Sequence, residues 1–268
     1  MFQILVPTNF TPSSQNAIKY AMSLAGHLKA KITLLHSFSL HDASYDSIID
    51  DLQEENKQKM TALAGTTITQ PDTSIEVKSY EGELAHAISQ TSPSLIIMGI
   101  EGETPFERFL LGNELKKVME KMPCPILFIP DEAQLTEINN IVYATAYNTD
   151  DLDNLRYMVK LTKPFEPEVS LVHMSDGSFS DEDEENFMTI FKKDIRAHIR
   201  YKKINYQLLY GKDINQRLEL FIHEQHPDMV AMITEQRFLF DRLFHPSATK
   251  KMAFHTKIPL LVFSNIYW

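Results

Sequence analysis

The sequence predicts an α/β protein made of two similar halves, each with a parallel sheet that helices cover on both faces. Short, continuous apolar runs alternate with amphipathic stretches along the chain, which is typical of buried parallel strands joined by helices. The second half also repeats the order and several residues of the first, which indicates a duplicated unit. The 268 residues suffice for two cores of ordinary domain size.

The sequence of the first half predicts five strands with helices between them. The strands are expected at 3–7, 31–37, 75–80, 95–98 and 126–129. Thr11 is placed to cap the first helix, and Pro12 suits its first position. The first helix has one apolar stripe, and the second carries apolar residues among charges. These residues are Ala17, Ile18, Ala21, Leu24, Ala25 and Leu28 in the first helix, and Ile48, Ile49, Leu52, Met60 and Leu63 in the second. Gly82 separates the third strand from the next helical pattern.

The repeat is visible as a direct alignment of the two halves. Residues 95–129 match 229–263 without a gap, so that Met98 falls on Met232 and Pro125 on Pro259. The segment ILVPTNF from Ile4 resembles IVYATAY from Ile141, and His36 falls on His173. A polar stretch near 131–140 separates the copies. We therefore expect domains at 1–134 and 138–268.

Composition excludes several classes of protein. A formal net charge of −10 argues against a general nucleic-acid binder and against docking on an anionic membrane. Cys124 is the one cysteine, so no internal disulfide is expected and a reducing compartment is indicated. The N-terminus enters a strand directly, and no apolar run approaches the ~20 residues of a membrane span. These features predict a cytoplasmic protein with Cys124 in its core.

Glycines mark the most informative segment of the first half. The chain has only 8 glycines, and three of them fall in one strand–loop–helix: Gly99, Gly102 and Gly112. Asn113 then opens an amphipathic helix. A strand that ends in glycines before a helix N-terminus is a common cradle for phosphate, because backbone N–H groups and the helix dipole favour an anion.

At this point the chain resembles the universal stress protein family. The resemblance rests on ILVPTNF, the helix start Thr-Pro-Ser-Ser, LLHSF, the Gly82 turn, G-x-x-G-x9-G and PCPILFI; it covers 1–130 and, more weakly, 138–265. It implies doubly wound, Rossmann-like domains with five-stranded sheets of the adenine nucleotide alpha hydrolase type. It also implies that the halves pair through their last strands as an internal pseudo-dimer; further association into a homodimer stays open. Some family members bind ATP, a few hydrolyse it slowly, and others act through partners in stress survival.

The resemblance implies an ATP site, with Mg²⁺, in the first half. Its residues are Pro7, Thr8, Asn9, Met98, Gly99, Gly102, Gly112 and Asn113. Asn9 stands where ATP-binding members have Asp, and Asn113 where they have Ser or Thr. Asparagine keeps an acceptor and adds a donor, so adenosine recognition is weakened. Glu101, Glu103 and Glu107 in the glycine loop oppose a triphosphate.

The second half has lost the motif. The three glycines become Ile233, Gln236 and Pro246, and the position of Asn9 becomes Ala146. Proline has no backbone N–H to donate, and the other side chains occupy space that the phosphates would need. No nucleotide is expected in this half.

Other polar groups have structural interpretations. His36 and His173 end equivalent strands and are expected to make a structural hydrogen bond. His223 and His226 fit a solvated helix end better than a zinc site. The acidic run 181–185 is expected to open a helix. No catalytic or metal-binding residue is predicted.

Three functions are compatible with these patterns. The favoured one is a non-catalytic binding or signalling module of the stress response, with ATP in the first half. The alternatives are a pseudo-dimer that binds an unknown protein partner without nucleotide, and a slow ATPase.

Overall fold

The computed structural model describes residues 1–38, 46–67, 74–100, 117–118, 124–134, 137–147, 149–175, 177–211, 213–233 and 258–263. They form two compact units. The first is centred on Met1–Leu135, and the second on Thr136–Met252 together with Leu260–Asn265. Each unit contributes five parallel strands. The predicted pairing of the two halves, and any homodimer, stay predictions.

The first unit alternates strands and helices in chain order. Its elements are β1 (Gln3–Pro7), α1 (Pro12–Leu28), β2 (Lys31–Phe38), α2 (Asp46–Thr67), β3 (Ile75–Glu81), α3 (Leu84–Ser89), β4 (Leu95–Ile100) and β5 (Ile126–Pro130). The strands lie in the order β3-β2-β1-β4-β5 and run parallel. Every strand start agrees with the sequence prediction, and every end agrees within two residues.

The second unit repeats this arrangement. Its elements are β6 (Asn140–Thr145), α4 (Thr149–Thr162) with a short 3₁₀ turn (Lys163–Phe165), β7 (Glu168–Ser175), α5 (Asp181–His198), β8 (Ile204–Tyr210), α6 (Ile214–Gln225), β9 (Met229–Ile233) and β10 (Leu260–Phe263). The sheet order is β10-β9-β6-β7-β8, again parallel. The predicted α/β class with doubly wound parallel sheets is confirmed.

Local signals explain where α1 begins and ends. The Thr11 hydroxyl accepts a hydrogen bond from the Ser14 N–H, and Pro12 occupies the first helical position, as predicted. At the other end Lys29 adopts the left-handed conformation, with φ of 50°, and its N–H bonds to the Ala25 carbonyl. The buried face of α1 includes five of the six residues of the predicted stripe, from Ala17 to Ala25.

The central strands are buried on both faces. Ile4, Leu5 and Val6 of β1 are fully buried, as are Leu95 and Ile96 of β4. Continuous burial explains why these strands have apolar runs rather than alternating patterns. Cys124 is also buried, and loss of water raises the pKa of its thiol to about 12. This burial agrees with the predicted core role of Cys124.

The duplication reaches the level of backbone conformation. Phe10 follows β1 with φ of 65°, and Tyr147 follows β6 with φ of 60°. Lys29 and Glu166 form a second matching pair, both with φ of 50°. Non-glycine residues seldom adopt this region, so two matching pairs are strong support for a common ancestry of the units.

Candidate functional site

The candidate site of the first unit lies at the carboxyl ends of β1 and β4. In β3-β2-β1-β4-β5 the chain moves outward from β1 in one direction and from β4 in the other. Doubly wound sheets bind ligands where the strand connections reverse in this way. Pro7 ends β1 and is followed by Thr8 and Asn9, and Met98 and Gly99 lie near the end of β4. The structure therefore brings these five predicted residues to one edge; Gly102, Gly112 and Asn113 lie outside the described residues.

Thr8 and Asn9 are already engaged in holding the loop that leads into α1. The Thr8 hydroxyl lies 3.1 Å from the Ser14 hydroxyl and accepts from the Phe10 N–H at 3.2 Å. The Asn9 Oδ1 accepts from the Thr11 hydroxyl at 2.7 Å and from the Thr11 N–H at 3.3 Å. An amide oxygen has two lone pairs, and Thr11 uses both. A ligand at Asn9 would therefore meet mainly the Nδ2 donor, on an exposed side chain.

Gly99 is required for packing of the strand against α1. A Cβ atom at this position would lie 2.2 Å from the Ser13 carbonyl oxygen and 2.4 Å from the Ser13 carbonyl carbon. Backbone atoms cannot move aside as a flexible side chain can, so no residue with a side chain fits here without displacing α1. Close approach of helix and strand accounts for this glycine whether or not a phosphate binds nearby.

His36 supports the same loop. Its Nδ1 lies 2.7 Å from the Thr8 carbonyl oxygen, and its ring packs on Phe10 with a centroid distance of 4.7 Å. His173 makes the equivalent contact with the Thr145 carbonyl at 2.9 Å, and stacks on Tyr147 at 4.1 Å. Both histidines hold the residue of positive φ that follows the first strand of their unit. The predicted structural hydrogen bond is confirmed in both halves.

The corresponding edge of the second unit has different side chains at the matched positions. Ile233 stands in the place of Gly99 and is 2% exposed, and Ala146 stands in the place of Asn9. The buried carboxylate of Asp151 accepts from the Tyr143 hydroxyl at 2.9 Å, the Thr145 hydroxyl at 2.8 Å and the Ala146 N–H at 3.1 Å. These contacts use the Asp151 carboxylate within the unit, and the two described positions that match Gly99 and Asn9 are apolar. Gln236 and Pro246 lie outside the described residues.

A pocket that the sequence did not predict opens beside this edge. It has a volume of about 310 Å³ and lies between the ends of β6 and β7 and one face of α5. Tyr147 and His173 line it from the sheet, and Glu184, Phe187 and Ile190 line it from the helix. Glu184 belongs to the predicted acidic run, which does open α5 behind the Ser180 cap. The sequence did contain one signal for this pocket. Glu184 shares a helical face with Phe187 and Phe191, because residues three and four apart lie on the same side of a helix.

The two histidines weighed against a zinc site lie at the C-terminal end of α6. His223 and His226 are both exposed, with ring centroids 5.5 Å apart. In the part of the chain that the structure describes, no three His, Cys, Asp or Glu residues are grouped as metal ligands would be. Within the same part, no helix combines the length and apolar character that crossing a bilayer requires.

Comparison with known proteins agrees with the fold. Residues 1–130 match the model of the universal stress protein family. Through its first half, the chain belongs to this family. A universal stress protein of Methanocaldococcus jannaschii is 24% identical over a 138-residue alignment that covers 47% of this chain and 81% of that protein.

Solved structures extend the fold comparison to the whole chain. A universal stress protein from Archaeoglobus fulgidus DSM 4304 superposes with a TM-score of 0.73 at 16% identity and covers 98% of both chains. A functionally unknown protein from Pseudomonas aeruginosa PAO1 gives 0.58 at 12% identity, over 98% of this chain and 92% of its own. Both therefore share the two-unit α/β fold of this chain.

Proposed function

We propose that this chain is a non-catalytic binding module of the stress response, with one weak adenine-nucleotide site in its first unit. The site lies at the carboxyl ends of β1 and β4, beside the first turn of α1. ATP with Mg²⁺ is the ligand that the family resemblance suggests. A reducing cytoplasmic location and a protein partner belong to the same proposal, on the grounds of composition and family.

The contrast between the two strand edges carries this proposal. In the first unit the edge presents the exposed amide of Asn9, next to Gly99. In the second unit Ala146 and the buried Ile233 take these places. A nucleotide needs polar contacts at such an edge, so the first unit is the better candidate.

The contacts of Asn9 also limit the affinity that we expect. Thr11 occupies both lone pairs of the Asn9 Oδ1, so this oxygen cannot accept a hydrogen bond from a sugar hydroxyl as a free carboxylate would. We therefore expect a dissociation constant on the order of 1 mM, or about −4 kcal/mol.

Calorimetric titration of the full chain with ATP and Mg²⁺ tests the proposal. Asn9→Asp should tighten binding about tenfold, because a carboxylate offers roughly four lone-pair sites and Thr11 uses two of them. Ala146→Asp places the same group at the matched position of the second unit and should leave binding unchanged. The proposal fails if millimolar ATP gives no binding heat, or if both variants tighten binding equally.

The proposal includes no hydrolytic step. His36 is a titratable side chain at this edge, and its Nδ1 is held on the Thr8 carbonyl. This contact indicates that the His36 ring stabilises the loop after β1. Steady ATP turnover by the full chain, lost in a His36→Asn variant that still binds ATP, would instead support the slow ATPase.

A further inference from the structure

The pocket beside α5 contains a buried carboxylate whose hydrogen-bonding capacity is unfilled. Glu184 is 2% exposed and lines the pocket. Its Oε2 has no hydrogen-bond partner among the described residues. The nearest polar atom recorded for it is the Nε2 of His173, at 3.4 Å. Buried polar atoms of native proteins nearly always have a partner, so an exception that faces a cavity points to a ligand.

The tautomer of His173 indicates what kind of ligand group Glu184 and His173 would bind. Its Nδ1 contacts the Thr145 carbonyl at 2.9 Å, and a carbonyl can only accept, so Nδ1 carries a proton. In the neutral ring, Nε2 is then an acceptor. Nε2 and the Glu184 carboxylate are then two acceptors that face each other at 3.4 Å. A donor from the pocket that reaches both atoms would satisfy them together.

The surrounding charges favour a positively charged donor. Asp194 adds a second carboxylate to the pocket lining. Desolvation, with the nearby charge of Glu184, raises the pKa of Tyr147, so its hydroxyl stays neutral. Asp181, Glu182 and Asp183 in the first turn of α5 add to the negative field. The pocket thus offers acceptors and negative charge, which disfavours a nucleotide or another anion.

The walls of the pocket are apolar and aromatic. Tyr147 stacks on His173 and meets Phe191 at a centroid distance of 5.2 Å. At the rim Phe187 and Ile190 are 42% and 59% exposed, although large apolar side chains are normally covered. Aromatic faces attract cations as well as apolar groups. A volume of about 310 Å³ lies at the lower end of small-molecule sites.

We propose that this pocket binds a small organic cation, with one ammonium group and an apolar body the size of a single ring. The ammonium donates to Glu184 and to Nε2 of His173, and the apolar body lies against Phe187 and Ile190. This site is independent of the proposed nucleotide site, since it lies in the other unit and selects the opposite charge.

Ligand-observed NMR titration of the full chain with benzylamine tests this site. Benzyl alcohol, which has the same ring without the charge, is the comparison probe. Glu184→Gln should weaken benzylamine binding about tenfold or more, because a charge-assisted hydrogen bond is lost, and should leave benzyl alcohol nearly unchanged. Glu185→Gln is the matched control. It removes the same charge from the exposed neighbouring position and should change benzylamine binding by less than about twofold.

A second variant separates the contribution of the apolar pocket wall from that of the Glu184 charge. Phe187→Ala removes an exposed ring, so it should keep the fold and weaken benzylamine and benzyl alcohol by similar factors. Thermal melting of each variant verifies folding. The proposal is overturned if benzylamine does not bind at millimolar concentration, if Glu184→Gln leaves it unchanged, or if Glu185→Gln weakens it equally. ATP titrations of the same variants should match the parent chain.

Discussion

The loops after β1 and β6 have the same construction but different neighbours. In each, a threonine at the strand end accepts from the N–H two residues later: Thr8 from Phe10 at 3.2 Å, and Thr145 from Tyr147 at 3.0 Å. A histidine from the next strand then holds the threonine carbonyl. These contacts form the common frame of the two units.

The groups that pack against this frame differ between the units. Ser14 in α1 corresponds to Asp151 in α4, since both lie six residues after the strand-end threonine. Ser14 makes one hydroxyl contact with Thr8, whereas Asp151 accepts three hydrogen bonds from Tyr143, Thr145 and Ala146. Gly99 likewise corresponds to Ile233. The second unit has thus filled its strand edge with internal contacts and has a pocket beside α5.

The largest effect that we predict comes from adding one methyl group at Gly99. Gly99→Ala should lower the free energy of unfolding by about 3 kcal/mol or more, because the new Cβ would lie 2.2 Å from the Ser13 carbonyl oxygen. Urea denaturation followed by circular dichroism measures this change. A neutral substitution would mean that the glycine is not needed for packing, and that its place reflects a ligand instead.

Gly65 provides a matched control for this substitution. It lies within α2, and outside the adjoining backbone of its own helix no described heavy atom would come within 4 Å of an added Cβ. Gly65→Ala should raise the free energy of unfolding by about 0.5–1 kcal/mol, because alanine is a better helix former than glycine. Opposite signs for the two glycines would show that the loss at Gly99 comes from contact and not from backbone entropy.

The features that sequence reasoning predicted well depend on local information. Strand positions follow from apolar runs, and the start of α1 follows from Thr11 and Pro12. The relation between halves follows from residue matches such as His36 with His173. Each of these signals lies within one element or in a direct repeat, so no knowledge of distant contacts was needed.

The features that were missed depend on contacts between distant elements. Ser13 and Gly99 are far apart in sequence, so their close approach becomes visible only once β1 and β4 are paired. Glu184 belongs to an acidic run that was correctly expected to open a helix. The burial of this one carboxylate depends on β7 presenting His173 to α5. Composition alone could not separate it from its exposed neighbours.

The second prediction compares the polar groups that face the two frames. Asp151→Ala should lower the free energy of unfolding by about 2–3 kcal/mol, because the buried Tyr143 and Thr145 hydroxyls lose their acceptor. Ser14→Ala should cost only about 1 kcal/mol, since the Thr8 hydroxyl keeps its contact with the Phe10 N–H. Urea denaturation of both variants at neutral pH gives the two values. Equal losses would contradict the view that the second unit relies more heavily on this position.

The smallest predicted effect concerns an ion pair at the start of β2 and β3. Glu76 contacts Lys31 at 2.6 Å and Lys78 at 3.4 Å, and the hydrogen bond from Lys31 is the main cause that lowers the pKa of its carboxyl from 4.5. In the second unit the matching strand position is Asn205, which has no charge to pair. Glu76→Gln should therefore remove a contribution to the free energy of unfolding that the matching position of the second unit does not make.

The expected size is about 0.5 kcal/mol near neutral pH, because all three side chains are about one-third exposed or more and water screens the pair. A lowered pKa in the folded state means that this stability is present above pH 4.5 and is lost as the pH falls through the folded-state pKa. The difference between parent and Glu76→Gln should thus vanish in acid, and should also shrink in high salt. Glu81→Gln, at the exposed end of the same strand, is the control and should show neither trend. A difference that persists unchanged in acid would show that Glu76 acts through packing of its side chain and not through its charge.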